Sequence, residues 1–78
     1  MFFYTYVLRS RKDNKLYVGW TDDLKERLKK HQTGLVVSTR DRRPLILEYF
    51  EACLNKDLAI KREKYFKTGF GRRFLNKR

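Results

Sequence analysis

Residues 2–8, Phe-Phe-Tyr-Thr-Tyr-Val-Leu, constrain this chain most: a near-continuous apolar run of aromatic and branched side chains. A run of that length and make-up suits a strand buried on both faces. Arg11-Lys12-Asp13-Asn14-Lys15 then reads as a turn, because Asp and Asn bond their own backbone and tolerate left-handed geometry. Leu16-Tyr17-Val18-Gly19-Trp20 follows as a second strand, and the pair forms a hairpin.

The periodicity then changes. Thr21 is expected to cap a helix, with Asp22 and Asp23 suited to its positive N-terminal end. Lys29, Lys30 and His31 fall near the negative end, and Gly34 terminates it. Leu24, Arg27, Leu28 and His31 recur at helical spacing on one face, so ionisable groups lie beside the core-facing stripe. Residues 35–43 form a basic loop, and Pro44 marks the start of a third strand from Leu45 to about Ala52. Asn55 caps a second helix with an apolar stripe of Leu58, Ala59, Tyr65 and Phe66. Gly69 and Gly71 break the chain before a short last helix, Arg72 to Lys77. The order β-β-α-β-α-α predicts an α+β fold, with a small three-stranded, mainly antiparallel sheet flanked by helices. Residues 1–78 are expected to form a single domain.

Charge narrows the partner. Twenty Lys and Arg against nine Asp and Glu give a formal net charge of +11, which a domain this small must carry on its surface. Nucleic acid is the polyanion that such a surface meets, each neutralised phosphate releasing counterions. A solvated basic surface kept for solubility is the plainer alternative. At 41% hydrophobic and 15% aromatic the chain is too rich in core-forming residues for a disordered basic tail. The single cysteine, Cys53, allows no internal disulfide, is read as a small buried hydrophobe, and belongs to no zinc spacing. A reducing, cytoplasmic setting is expected, with no membrane association.

Several short stretches now fit one pattern. Tyr4-Thr5-Tyr6-Val7-Leu8, Leu16-Tyr17-Val18-Gly19-Trp20-Thr21, Asp23-Leu24, Arg27 and His31 occur in that order. Arg43-Pro44-Leu45, Ala59-Ile60-Lys61-Arg62-Glu63 and Gly69-Phe70-Gly71-Arg72 extend the series. Together they resemble the GIY-YIG nuclease superfamily over roughly residues 2–76. They are similar in particular to its small free-standing bacterial subfamily (UPF0213), grouped with the N-terminal domain of the excision-repair incision subunit.

The resemblance implies a metal-dependent endonuclease hydrolysing phosphodiester bonds, DNA rather than RNA, in repair or recombination. It assigns Tyr6 and Tyr17 to the catalytic face, Arg27 to the phosphate and Glu63 to a single Mg²⁺ or Mn²⁺. His31 matches a position that is His or Tyr in relatives. Specificity would come from the basic face or from a protein partner.

The residue types suit that chemistry. Phosphodiester hydrolysis needs an activated water, charge neutralisation and help for the departing 3′ oxygen. Magnesium takes as few as one or two protein carboxylates, so Glu63 alone is an adequate anchor. Arg27 can grip two phosphate oxygens and keeps its charge. A free tyrosine is only about 0.1% ionised at neutral pH, so a tyrosine base needs surrounding positive charge or a metal to lower its pKa. Tyr17 is the first choice as base or water-positioner, with Tyr6 in support, and His31 remains beside it as the chemically easier base. Ser38, Thr39, Arg40, Arg42 and Arg43 are candidates for phosphate contacts.

Structural readings stand beside these. Tyr6 and Tyr17 could simply pack a sheet. Arg27 could pair with Asp23, and Glu63 with Lys67, each four residues apart on a helix. His31 could serve as a helix-end cation. The first motif lacks the glycine of the family pattern, and no terminal asparagine matches. Both departures favour a second reading, a non-catalytic nucleic-acid-binding module that keeps the fold.

Overall fold

A computed structural model describes residues 1–76. Three strands, β1 (Phe3–Ser10), β2 (Leu16–Thr21) and β3 (Leu45–Cys53), form one antiparallel sheet in the order β2-β1-β3. Helix α1 (Leu24–Gln32) lies between β2 and β3, and α2 (Lys56–Phe66) and α3 (Gly69–Asn76) follow β3. The apolar first strand is central, as its composition requires, with Thr5 to Leu8 all buried.

Alternation along β1 divides the core. Tyr6 and Leu8 point to one face, where they pack with Leu45, Tyr17, Leu24, Leu28 and Leu47 beneath α1. Val7 points to the other, with Val18 and the fully buried Phe66 of α2, closed by Leu16, Tyr49 and Leu75. The Thr5 hydroxyl donates to the Ala59 carbonyl at 2.8 Å and fastens α2 to that face. Arg62 bridges α2 to β3 through Glu51, with two nitrogens on the carboxylate at 2.7 and 2.9 Å. Glu48 bulges from β3 opposite the Val7/Leu8 step.

Four expectations from sequence are corrected. Asp23, not Thr21, caps α1: its carboxylate accepts from the Glu26 N–H at 3.1 Å. Thr21 ends β2, and its hydroxyl accepts from the Asp23 N–H. The last helix begins at Gly69 rather than after Gly71, and Lys77 lies outside the described residues. Gly71 is inside that helix because the chain leaves it no room. A Cβ there would collide with the Tyr65 carbonyl oxygen and stand 2.6 Å from Phe66 Cα. Of the expected α2 stripe, Leu58 is half-exposed and Tyr65 keeps 37% of its surface exposed, and Cys53 is only half-buried. Asn55 caps α2 as expected, accepting from the Asp57 and Leu58 N–H groups.

The C-terminus of α1 sets the path of the chain beyond it. Gly34 takes φ +81°, and its N–H and that of Leu35 reach back to the carbonyls of His31 and Lys30. This left-handed cap reverses the chain, so that residues 35–39 return against the helix. Val36 and Thr39 are thereby buried. Residues 40–42 form a single 3₁₀ turn within the expected loop.

Candidate active site

Tyr6 and Gly19 are paired across β1 and β2, and the tyrosine ring lies directly over the glycine. A Cβ at Gly19 would meet the Tyr6 hydroxyl at 2.6 Å and Cζ at 2.7 Å. The missing side chain therefore makes the slot that lets this phenol cross the sheet face toward the β2 edge. The hydroxyl ends 2.8 Å from Nε2 of His31 and accepts from Nε of Arg27 at 3.3 Å. Tyr17 leans against the same imidazole, with ring centroids 5.2 Å apart and 6.4 Å from the Tyr6 ring.

His31 is completely buried, with Nδ1 2.7 Å from the Thr39 hydroxyl. Arg27 can only donate, so the proton of buried Tyr6 is directed at Nε2. That choice leaves Nδ1 carrying the hydrogen that faces Thr39. Burial, reinforced by the neighbouring charge of Arg27, lowers the His31 pKa from 6.5 to about 4. The imidazole is neutral at physiological pH, with both nitrogens occupied. It is neither a helix-end cation nor a base open to solvent.

The phenols differ in exposure. Burial raises the Tyr6 pKa above its ordinary 10.0, outweighing the bond from Arg27, and Tyr17 and the Glu63 charge push the same way. For Tyr6 this reverses the expected lowering by surrounding positive charge. Tyr17 is only half-buried. Arg27 is held above the ordinary guanidinium value, chiefly by its bond to Tyr6 and also by Tyr17. It turns to these phenols and not to Asp23, whose carboxylate caps the helix.

Glu63 comes from the helix on the opposite sheet face. Arg62 leans from α2 toward β3, whereas Lys56 of the same helix reaches the Trp20 ring of β2 at 5.3 Å. Glu63 is partly buried, and its charge is felt at the Tyr6 phenol. Its carboxylate also accepts from Lys67 Nζ at 3.4 Å, an exposed helical pair of little energetic weight. Among the described residues no three His, Cys, Asp or Glu side chains gather as a metal cage. A single partly buried carboxylate, whose charge reaches the Tyr6 phenol, fits a hydrated Mg²⁺, which takes its remaining ligands from water and substrate.

The basic loop divides. Ser38 and Arg40 are exposed. Thr39 is fully buried on His31, so its hydroxyl is turned inward, away from any phosphate at the surface. Arg42 is tied to Asp13 at 3.1 Å, and Arg43 Nε donates to the Arg40 carbonyl while its guanidinium packs over Gly34. Sequence reasoning missed the Thr39–His31 bond and the slot at Gly19. A glycine opposite a strand tyrosine was the available signal for the second.

A family model described as the GIY-YIG catalytic domain matches residues 2–77. The chain belongs to the GIY-YIG family. Among curated GIY-YIG relatives, a UPF0213 protein of Clostridium perfringens is 46% identical over 65 residues, covering 82% of this chain and 69% of that one. A UPF0213 protein of Bacillus pumilus is 44% identical over 66 residues, covering 83% and 66%. The solution structure of a UPF0213 protein from Bacillus halodurans superposes with a TM-score of 0.61 at 31% identity, covering 99% of this chain and 84% of that one. The GIY-YIG domain family implies endonuclease-type chemistry on nucleic acid. Among the described residues no helix is long and apolar enough to cross a membrane.

Proposed function

We propose that the protein is a metal-dependent endonuclease acting on DNA, in repair or recombination. The observation that carries this reading is the meeting of Tyr6, Tyr17 and Arg27 around one buried imidazole, within the electrostatic reach of Glu63.

Each side chain has a task. Arg27, fixed through Nε, would use its remaining N–H groups to grip the phosphate and offset the charge that builds on it. Tyr17, the more exposed phenol, accepts a hydrogen bond from the attacking water and orients it as the new P–O bond forms and the P–O3′ bond breaks; the water's proton passes to solvent, from which the departing O3′ takes one. Tyr6 holds Arg27, and its own proton is held on the His31 side, so His31 and Thr39 position rather than react. Glu63 would hold one Mg²⁺ or Mn²⁺. A bound cation of this kind polarises the phosphate and stabilises the departing oxygen.

The second reading, a binding module without turnover, draws on the altered first motif and on the Glu63–Lys67 pair. A panel of linear, flapped and branched DNA incubated with Mg²⁺ or Mn²⁺ separates the two. The nuclease reading expects metal-dependent nicks that Tyr17→Phe reduces. Salt-sensitive binding with no nicks on any substrate would favour the module.

A further inference from the structure

At the hairpin end of the sheet, four cationic side chains from separate segments line one concave groove of about 320 Å³: Arg9, Lys15, Arg42 and Arg72. Gathering like charges costs energy unless counter-charges offset it. Two of the four are offset. Arg9 meets Glu48 at 2.8 Å and Arg42 meets Asp13 at 3.1 Å. Neither carboxylate lines the groove. Lys15 and Arg72 are exposed and make no ion pair among the described residues, so the groove carries a surplus of two positive charges.

The walls are built before any ligand arrives. Arg9 also donates from a terminal nitrogen to the Asn14 carbonyl at 2.8 Å, and Arg42 to the Leu16 carbonyl at 3.4 Å. Asn14 sits at φ +61°, and the Asp13 carboxylate accepts from the Lys15 N–H, so the turn bearing Lys15 is pinned. Arg72 is carried by α3, whose start is fixed against α2 by the close approach at Gly71.

We propose that this groove is a second phosphate-binding site, holding the backbone of the nucleic-acid strand away from the point of cleavage. The inference rests on the nucleic-acid reading above and adds to it an anchoring surface that takes only Arg42 from the basic loop. Leu16 lines the groove and is followed directly by Tyr17 of the candidate active site. A strand crossing Tyr17 can therefore turn round the β2 edge onto these cations. Phosphate contacts of this kind fix position and carry no sequence information.

Binding measured without divalent metal tests this apart from catalysis. The probe is a fluorescent single-stranded oligonucleotide of mixed sequence, titrated by anisotropy at several salt concentrations. The proteins are wild type, Lys15→Gln/Arg72→Gln, and a charge-matched control, Lys61→Gln/Lys64→Gln, on the exposed side of α2, with circular dichroism checking each fold. Losing two phosphate contacts should flatten the slope of log K against log salt by about 1.5 in the groove variant and by much less in the control. Equal flattening in both variants would overturn the groove while leaving the nuclease reading intact. The groove proposal also fails if polyglutamate competes as well as DNA of equal charge. Failure of the wild type to bind at low salt would overturn the groove and the nucleic-acid reading together.

Discussion

The Tyr6 hydroxyl and Nε2 of His31 stand 2.8 Å apart in an interior from which water is excluded, and neither side chain has exposed surface. This pair joins the central strand to the first helix and lets one phenol bond both Arg27 and an imidazole that burial and the Arg27 charge keep neutral. His31 is also the chain's one histidine, so its titration can be followed without ambiguity.

Its protonation follows from the lowered pKa. Between pH 6.5 and about 4 the unfolded chain holds a proton on this imidazole that the folded chain does not. Stability contributed by the neutral form is therefore complete above pH 6.5 and is lost as pH falls through that window, to the extent of about 3 kcal/mol. Urea unfolding at a series of pH values should show this slope, and it should be absent in His31→Gln. An imidazole proton signal that titrates near 6.5 in the folded protein would refute the assignment.

Thr39→Val keeps the volume of the side chain and removes the partner of Nδ1. Leaving that buried donor unsatisfied should cost about 1–3 kcal/mol. Chemical unfolding measures it. A variant as stable as the wild type would show that Thr39 does not hold the ring.

Gly19→Ala would drive a methyl carbon to 2.6 Å from the Tyr6 hydroxyl. The ring must give way, at a cost of about 1–3 kcal/mol for overpacking, and its bonds to His31 and Arg27 are disturbed with it. The expected result is reduced nicking in a protein that is still folded, checked by a cleavage assay beside a melting curve.

Much of this was legible in the chain. The buried first strand, the hairpin, the Asn55 cap and the turn at Gly34 each follow from local chemistry that tertiary packing does not override. Thr21 was misread because three capping residues, Thr21, Asp22 and Asp23, stand in a row, and only the path of β2 decides that Thr21 completes the strand and Asp23 caps the helix. Gly71 looked like a breaker because its use, close contact with Tyr65 and Phe66, depends on where α2 ends in space. The site residues were named from motif resemblance. That Arg27 turns to Tyr6 and not to Asp23 is a matter of burial, which spacing does not encode. Thr39 was grouped with a basic surface loop, and the fold instead carries it under His31.

Arg27→Lys keeps the charge but not the planar fork that can hold Tyr6 through one nitrogen and a phosphate through the others. Cleavage should fall by about 10²-fold, the scale seen when a preorganised donor to a transition state is lost. Binding in the absence of metal should change little. Cleavage kinetics beside anisotropy titrations separate the two effects.

The most direct test is the metal dependence of strand cleavage in wild type and Glu63→Gln, assayed on branched and single-stranded DNA with Mg²⁺ or Mn²⁺. Nicks from the wild type that require the cation, reduced by about 10²-fold or more in Glu63→Gln with DNA binding retained, are the predicted result. A Glu63→Gln protein that cleaves as fast as the wild type, or a wild type that cleaves none of these substrates with either metal, would contradict the account.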